Sequence, residues 1–449
     1  MASRTSVARL MHLFALPALG LAIAGCGMFS GDGDGDKTPT VGNRTPILSR
    51  IAQEVEVDPA LAATAVVLPP PAVNGDWSQA GGNAAKAPGH AALGNAPVRA
   101  WTASIAGATK TRRLAASPVV GDGRLYVVDT SGVVRAFDAQ TGSRIWEHTI
   151  QVSGDLRDAT FGGGASYADG RVYATTGTGD VVALDAATGA EQWRVKPSGP
   201  LRGSPTVAFN SLYVMTQDNQ IYALSLADGS VEWQMSAAGG QSGVFGVAAP
   251  AAGQGTVIAG YSSGELVAYR YENGRELWSD ALARTSISTQ VGTLTDVDAD
   301  PIIDQGRVYA LGQGGRMAAY ELTTGQRLWE LTLAGISTPA VAGEWVFTLT
   351  DDARMLAIQR NTGRVRWITQ LDQWRDPKDK EGPIFWTGPV LANNRLWVAS
   401  SRGQVMSVDT GSGAAAEFTD LDDGVSLPPV VAQNTLYILD DGGRITAWR

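Results

Sequence analysis

The sequence contains very little cysteine and histidine, the residues that build disulfides and most metal and haem sites. Its 449 residues include one cysteine, Cys26, and three histidines. A single cysteine cannot form a disulfide within the chain, so the fold must depend on its hydrophobic core. Two of the histidines, His90 and His148, lie beyond the N-terminal leader described below. We expect no catalytic residues and no metal site, because these groups build no zinc site, haem site or Ser-His-Asp triad with the usual partners.

Positive charge is also scarce relative to negative charge. The chain has 35 lysines and arginines against 44 aspartates and glutamates, which gives a formal net charge of −9. Nucleic-acid-binding proteins present a basic surface to the phosphate backbone, and this sequence has no such basic stretch. We therefore predict no nucleic-acid partner.

The first 25 residues carry no acidic side chain and have the order of a secretory signal peptide. Arg4 and Arg9 precede an apolar run over residues 10–24 that is too short to span a bilayer. The run ends in Ile-Ala-Gly followed by Cys26, which resembles the bacterial lipobox. That resemblance implies cleavage after residue 25 and acylation of Cys26, and two or more acyl chains make a stable membrane anchor. The alternative is an ordinary signal peptide in which Cys26 occurs by chance.

The residues after Cys26 bear on sorting and on the first domain boundary. Gly27 stands where aspartate would retain a lipoprotein at the inner membrane, so the resemblance implies an outer-membrane address. An alternation of glycine and aspartate, and later three consecutive prolines, cannot build a packed core. We therefore predict that residues 1–25 are a signal peptide and that 26–76 are the lipidated cysteine and a flexible tether. Within the tether, residues 47–67 could form a short helix or strand that docks on the body, and the sequence does not decide this.

One phrase, Ala-x-Asp-x-x-Thr-Gly-x-x-x-Trp, recurs along the chain in variable form. It first spans residues 136–146, and later copies bring a tryptophan roughly every 40 to 50 residues, the period of a β-propeller blade. A seventh copy, residues 407–413, is followed by Phe418 in place of tryptophan. The tryptophans of the repeat are Trp146, Trp193, Trp233, Trp278, Trp329 and Trp367.

Each repeat divides into four short strands separated by tight turns. In the first repeat the strands begin near Val119, Arg124, Val133 and Ser143, with glycine or aspartate at each break. These residues supply the positive φ that tight hairpins require. Proline opens the innermost strand in seven of eight units, where it costs no ladder hydrogen bond. One tryptophan per outermost strand favours a wedge between adjacent blades over a ligand-stacking role.

The number of strand sets predicts how the ring closes. Eight inner sets can be counted, and the last one ends at the C-terminus without a fourth strand. The segment around Trp101 has the outer-strand pattern and lies one period before Trp146. We therefore predict an all-β fold over residues 77–449. It is an eight-bladed β-propeller with four-stranded antiparallel blades, and an N-terminal strand closes the ring.

The repeat resembles the tryptophan-docking repeat of pyrroloquinoline-quinone (PQQ) propellers, a group that includes enzymes and non-enzymes. Quinoprotein dehydrogenases of this fold typically carry two adjacent cysteines beside the cofactor, and many also have a haem-binding Cys-x-x-Cys-His. This chain has neither motif. We therefore predict a non-enzyme without a cofactor. The alternative is a PQQ-dependent, quinoprotein dehydrogenase-like periplasmic enzyme.

The lipobox, the tether and the propeller together resemble the BamB family of outer-membrane protein assembly lipoproteins. The resemblance covers residues 77–449 and is sharpest at Leu-Arg-Gly-Ser-Pro, residues 201–205, and Leu-Thr-Asp-Val-Asp-Ala-Asp-Pro, residues 294–301. It implies a scaffold of the β-barrel assembly machinery (BAM), lipid-anchored at the periplasmic face of the outer membrane. The implied partners are the POTRA domains of BamA and other BAM components. The residues implied in docking are Leu201, Arg202, Asp296 and Asp298.

The same two stretches can be considered without the resemblance. In a four-stranded meander the connections between blades all emerge on one face, so both stretches share a face, two blades apart. An exposed Leu201–Arg202 pair there would suit a partner site, because arginine and apolar residues are favoured in interfaces. The alternative is that Arg202 pairs internally with an acid of a loop. Nascent outer-membrane proteins could pair with a sheet edge, but nothing in the sequence specifies this.

The spacing Asp296-x-Asp298-x-Asp300 raises the question of calcium. An EF-hand loop needs glycine at its sixth position and glutamate at its twelfth, and here these are Pro301 and Arg307. The spacing therefore excludes an EF-hand and leaves weak calcium binding of another kind open.

A charged insert, residues 371–386, separates two of the repeats. Its mixed lysines, aspartates and glutamate indicate a solvated loop. Trp374, Phe385 and Trp386 within it form a second interface candidate.

Overall fold

The computed structural model describes residues 55–152, 162–237, 248–282 and 296–449. In these residues the chain is almost entirely β-structure, with one short 3₁₀ helix at Pro59–Leu61. Eight four-stranded antiparallel sheets are formed, and a two-stranded hairpin lies between the sixth and the seventh along the chain. The predicted eight-bladed β-propeller is confirmed. None of the described helices is long and apolar enough to cross a membrane.

Each blade is a meander whose first strand lies at the central channel and whose last strand lies at the rim. The first strand of the chain, β1 (Arg99–Ser104), is the exception and belongs to blade 8. Blade 1 contains β2 (Val119–Gly121), β3 (Arg124–Val128), β4 (Val133–Asp138) and β5 (Arg144–Thr149). Blade 2 contains β6 (Ala165–Ala168), β7 (Arg171–Thr175), β8 (Val181–Asp185) and β9 (Glu191–Val195). Blade 3 contains β10 (Leu201–Ala208), β11 (Ser211–Thr216), β12 (Gln220–Ser225) and β13 (Val231–Ser236).

The next blades repeat this order. Blade 4 contains β14 (Ala251–Gly253), β15 (Thr256–Gly260), β16 (Glu265–Arg270) and β17 (Glu276–Ala281). Blade 5 contains β18 (Ile302–Asp304), β19 (Arg307–Gly312), β20 (Arg316–Glu321) and β21 (Arg327–Leu331). Blade 6 contains β22 (Ala340–Ala342), β23 (Trp345–Leu349), β24 (Arg354–Gln359) and β25 (Val365–Gln370).

The inserted hairpin and the last two blades complete the ring. The hairpin contains β26 (Trp374–Asp376) and β27 (Glu381–Pro383). Blade 7 contains β28 (Trp386–Ala392), β29 (Arg395–Ser400), β30 (Gln404–Asp409) and β31 (Ala415–Asp420). Blade 8 contains β32 (Val430–Ala432), β33 (Thr435–Leu439), β34 (Arg444–Trp448) and, as its outermost strand, β1.

Burial within a blade explains why these short segments form strands. All three residues of the innermost strand β2 are buried, whereas the outermost strand β5 buries only Trp146. The gradient matches a sheet packed on both faces near the axis and half-solvated at the rim. The first hairpin turns at Asp122 and Gly123, whose φ angles of 50° and 71° suit aspartate and glycine.

The repeated tryptophans join adjacent blades, as the sequence predicts. Each of seven indole Nε1 groups donates a hydrogen bond to a backbone carbonyl of the next blade, as Trp278 does to Leu322 at 2.8 Å. The ring also packs on the glycine of that blade's turn. A Cβ at Gly325 would lie 2.5 Å from an atom of Trp278, so no larger residue fits there. The structural role predicted for these tryptophans is confirmed.

The junction between blades 7 and 8 uses a different arrangement. Trp367 of β25 pairs with Ala357, but the equivalent strand of blade 7 has a shifted bulge, and Ser407 pairs with Ala416. The register of the outer strand therefore differs in blade 7. Phe418 nevertheless packs edge-on against Trp397, which lies where Phe347 lies beside Trp367 in blade 6. Its ring also packs against Trp448 of blade 8, and both centroid distances are 5.0 Å.

Ring closure occurs where the sequence predicts it. Strand β1 pairs antiparallel with β34, and Trp101 lies opposite Ala447. The indole of Trp101 donates to the Ala139 carbonyl of blade 1 at 3.2 Å. The N-terminal strand thus completes the blade that the C-terminus leaves unfinished, and covers the edge of β34.

The N-terminal segment differs from the predicted flexible tether over residues 55–76. Asp58 donates its N–H to the Val365 carbonyl at 2.8 Å and forms an ion pair with Arg364 on the rim of blade 6. Arg366 donates to the Thr64 carbonyl at 2.8 Å. These contacts dock residues 58–64 on blade 6, because the outer edge of β25 offers backbone partners that the sequence does not reveal. Cys26 lies outside the described residues.

Candidate functional site

The two faces of the ring carry different connections. One face carries the connections from the rim strand of one blade to the channel strand of the next, together with the turns between second and third strands. We call this the connection face and the opposite one the hairpin face. The predicted docking stretches, residues 201–205 and 296–301, lead from the connection face into blades 3 and 5. The structure therefore places both on one face, two blades apart.

Leu201 is not exposed, contrary to the expectation from its position between blades. It is the first residue of β10, its backbone lies opposite Thr216, and its side chain is 0% exposed within the core between blades 2 and 3. The physical reason is that strand pairing begins before Pro205, at residue 201, so Leu201 is drawn into the interblade core. The backbone of Arg202 lies opposite Met215 and precedes a bulge in the strand.

The second stretch is also held tightly. Val297 is 0% exposed in the core between blades 4 and 5, and its N–H donates to the Tyr261 carbonyl at 3.2 Å. Asp296 is 1% exposed, and its carbonyl accepts the N–H of Gln313 at 3.0 Å. Asp298 is half-buried. Of the implied docking residues, Leu201 and Asp296 can thus hold the loops in place, and Asp298 is partly accessible.

Residues 72–92 form a strap across the mouth of the central channel on the hairpin face. The strap returns on itself, because Ala72 donates to the His90 carbonyl at 2.9 Å and Ala92 donates to the Ala72 carbonyl at 2.8 Å. Its backbone and side chains form hydrogen bonds with the inner edges of the channel strands. Without the strap, the backbone groups at these edges would lack partners. The strand residues whose backbone groups it contacts by hydrogen bonds are Val120, Tyr167, Val207, Ala252, Ile303, Leu391 and Val431, one in each of seven blades.

Lys86 of the strap is buried in the channel and faces an acidic partner. It is 2% exposed, and its Nζ donates to the Thr206 hydroxyl at 3.1 Å. Burial lowers the pKa of Lys86 to about 8, and the charge of Asp300 opposes that shift. Burial raises the pKa of the Asp300 carboxyl, and Lys86 opposes that shift in turn. Sequence reasoning missed this pair, although an isolated lysine in a glycine- and alanine-rich stretch could have indicated it.

The contacts of Asp300 thus lie in the channel, and the residue does not belong to an evident cation-binding loop. Its Oδ1 accepts the N–H of Ala249 at 2.7 Å, which ties blade 5 to blade 4. Across the described parts of the chain, histidine, cysteine, aspartate and glutamate form no group of three or more arranged to hold a metal ion.

The two histidines have structural partners. Asn394 donates its N–H to His90 Nε2 at 2.8 Å, which leaves the proton on Nδ1 to donate to the Pro69 carbonyl at 2.7 Å. His90 thus pins the strap to blade 7. His148 lies 3.2 Å from Glu191 on the rim.

The charged insert forms a hairpin where the sequence suggests a solvated loop. Strands β26 and β27 pair with Trp374 opposite Pro383. Trp386 is 8% exposed and its indole donates to the Asp372 carbonyl at 2.8 Å, whereas Phe385 is 65% exposed. The three aromatic residues therefore differ: Trp386 is structural, Trp374 is half-buried, and Phe385 faces solvent on the connection face.

Comparison with solved structures supports the fold alone. The crystal structure of BamB from Moraxella catarrhalis matches with a TM-score of 0.64 at 20% identity, covering 79% of this chain and 99% of that one. A quinohemoprotein alcohol dehydrogenase from Comamonas testosteroni matches with a TM-score of 0.68 at 15% identity, covering 87% and 82%. Because an enzyme and a non-enzyme match about equally well, the shape of the ring does not separate these functions.

Sequence comparison is more specific. A family model described as outer membrane protein assembly factor BamB matches residues 94–151 and 130–369. Outer membrane protein assembly factor BamB of Salmonella typhimurium is 30% identical over 356 residues, which are 78% of this chain and 88% of that protein. Its counterpart from Aliivibrio fischeri is 32% identical over 354 residues, 79% and 89% of the two chains. This chain therefore belongs to the BamB family of outer membrane protein assembly factors.

Proposed function

We propose that this chain is a non-catalytic scaffold that supports the assembly and insertion of outer-membrane proteins. The observation that carries the proposal is the match to assembly factors over 78% of the chain, together with the family model that covers residues 94–369. In this proposal the chain is anchored by Cys26 to the outer membrane, faces the periplasm, and binds the POTRA domains of BamA within the BAM complex. A rigid ring with many connections on one face suits such a role.

Docking of BamA is proposed at the connection face, where residues 201–205 and 296–301 enter blades 3 and 5. Arg202 and Asp298 are the proposed contacts, and the buried Leu201 and Asp296 hold the backbone just before each of them. A guanidinium offers a planar set of five donors, which can bind a carboxylate or several carbonyls of a partner. Arginine is also among the residues that contribute most at interfaces.

Arg202→Ala should weaken binding to purified POTRA domains of BamA about thirtyfold, because truncation at an interface centre typically costs about 2 kcal/mol. Asp298→Ala should weaken it less, since charges at a rim mainly affect the rate of encounter. Affinity can be measured by calorimetry or surface plasmon resonance, with thermal unfolding to check the fold.

Arg144→Ala is the matched control. This arginine lies on the rim strand β5, its side chain is 60% exposed, and it pairs only with Glu147 at 2.9 Å. Its loss should leave POTRA binding unchanged. An affinity of Arg202→Ala within twofold of wild type, with an intact fold, would remove this part of the face as the docking site.

The anchor gives a separate prediction. Cys26→Ser should abolish incorporation of labelled palmitate and leave the protein uncleaved or soluble in the periplasm, because the acyl chains have no thiol to join. Gly27→Asp is the control, since it should keep the label and move the protein to inner-membrane fractions. Equal labelling of wild type and Cys26→Ser would show that the anchor lies elsewhere.

The alternative function, a PQQ-dependent dehydrogenase, is less well supported by the channel. Backbone hydrogen bonds of the strap already occupy the inner edges on the hairpin face, as between Trp77 and Val120 at 2.8 and 2.9 Å. The side chain of Lys86 is buried beneath the strap. A cofactor entering from that side would have to displace these contacts.

A further inference from the structure

The exposed Phe385 is continuous with a set of acidic residues on blades 7 and 8. Its N–H donates to the Ser401 hydroxyl at 3.0 Å, and its carbonyl accepts the Ser401 N–H at 2.7 Å. A Cβ at Gly424 would collide with the Ser401 carbonyl, so the backbone segments around these two residues are in contact. Gly424 in turn accepts the N–H of Asp441 at 2.7 Å. An aromatic ring and a carboxylate thus belong to one surface of the connection face.

Several carboxylates converge at this point. A Cβ at Gly442 would collide with Asp423 Oδ2 and would lie 3.3 Å from Asp440 Oδ1. The carboxylate of Asp441 accepts the Ser426 hydroxyl at 2.8 Å. Burial raises the pKa of both Asp440 and Asp441, and the charge of Asp423 raises both further. The three carboxylates therefore repel one another at close range.

Asp440 lacks the cation that its counterpart in another blade has. It is 1% exposed, its Oδ1 accepts the Arg444 N–H at 2.8 Å, and its Oδ2 has no hydrogen-bond partner. The same turn of blade 1 has Asp129, whose carboxylate pairs with Arg135 six residues later. In blade 8 that later position is Thr446. Asp440 thus has no counterpart of the ion pair that Asp129 forms with Arg135, although the charge of Arg444 acts on it.

The cations in the neighbourhood do not balance these acids. Arg444 pairs with Asp422, and Arg113 lowers the pKa of Asp441 by its charge. The charge of Arg99 also lowers the pKa of Asp422, so three arginines stand against four carboxylates, those of Asp422, Asp423, Asp440 and Asp441. The excess is negative, and the backbone contacts through Ser401 and Gly424 connect it to Phe385, which is 65% exposed.

We propose that this acidic–aromatic patch, formed by Phe385, Asp422, Asp423, Asp440 and Asp441, is a second docking surface for a basic, partly apolar segment of a partner protein. An ammonium or guanidinium group of that segment approaches Asp423 and Asp441, where it offsets the excess charge. Apolar side chains next to it cover the ring of Phe385, and a cation can also bind the ring face. The patch lies on blades 7 and 8, apart from the loop of blade 3 that contains Arg202. This proposal is therefore independent of the proposed contact with BamA.

The patch can be tested with a defined probe on the purified full chain. The probe is a fluorescent, amidated octapeptide of alternating lysine and leucine. Asp423→Asn/Asp441→Asn should weaken its binding about tenfold in low salt, and Phe385→Ser about threefold, since charge and apolar contact both contribute. Added salt should weaken binding to wild type more than binding to the double variant. Arg202→Ala should bind the probe as wild type does.

Two controls separate the patch from the overall negative charge. Asp122→Asn/Asp169→Asn removes the same charge from the hairpin face, at turn positions with φ of 50° and 48° that asparagine tolerates. Phe209→Ser removes a phenyl ring, 37% exposed, from that same face. Both controls should bind the probe like wild type. The proposal fails if they lose as much affinity as the patch variants, or if a glutamate–leucine peptide binds equally well.

Discussion

Deleting residues 27–105 should destroy the cooperative fold of the ring, whereas deleting residues 27–54 should leave it intact. The longer deletion removes both the strap and β1, so β34 loses its partner and the channel strands lose their inner hydrogen bonds. Bare edge strands pair with other molecules, and we expect aggregation. Size-exclusion chromatography and urea unfolding followed by tryptophan fluorescence would measure both effects.

An intermediate deletion separates the contribution of the strap from that of β1. Removal of residues 27–92 keeps β1 and its Trp101 contact but removes the strap. We expect this protein to remain monomeric with a lower free energy of unfolding than the chain lacking only 27–54. A monomeric, equally stable protein lacking 27–105 would show that the ring closes without either device.

Asp300→Asn should lower the free energy of unfolding by about 3 kcal/mol, because it leaves the buried ammonium group of Lys86 without its carboxylate, although the amide oxygen can still accept the N–H of Ala249. Adding Lys86→Met should restore most of that loss, since no buried charge of the pair then remains. Urea unfolding at neutral pH measures the cycle of wild type, the two single variants and the double variant. A double variant as unstable as the sum of both single losses would show that the two groups do not interact.

The same pair gives a dependence on pH. The pKa of Lys86 is about 8 in the folded chain, below its ordinary value of 10.5, so the unfolded chain holds this proton more strongly. The cost of burying the charge is fully present below pH 8 and is relieved as the pH rises from about 8 towards 10.5. The stability of wild type relative to Lys86→Met should therefore increase over that interval.

The ring was predictable because its signals are local and repeated. The turn that ends in glycine, the tryptophan four residues later and the proline before the channel strand each have one physical role that recurs in most of the repeats. The missing strand of blade 8 could be inferred from the same pattern, because Trp101 lies one period before Trp146. Residues that share a role across copies thus carry more information than any single residue.

The predicted site was less accurate because burial there depends on distant partners. Leu201 appears to lie in a connection when only the sequence is read, yet pairing with Thr216 extends its strand and buries it. The strap has no hydrophobic period at all, since its conformation is set by strand edges from Val120 to Val431. The docking roles of Arg202 and Asp298 stay predictions.

The strap also has a consequence for the order of folding. Its partners range from Val120 near the start of the ring to Val431 near its end, so the contacts of residues 72–92 span almost the whole chain. Proteins with such long average contact separations fold slowly, because many loops must close before their contacts are gained. The strap precedes all the blades in the chain but can complete its contacts only after blade 8 has formed. Until then the inner edges of the blades are open, and the unfinished ring is the state in which the chain is most exposed to mispairing.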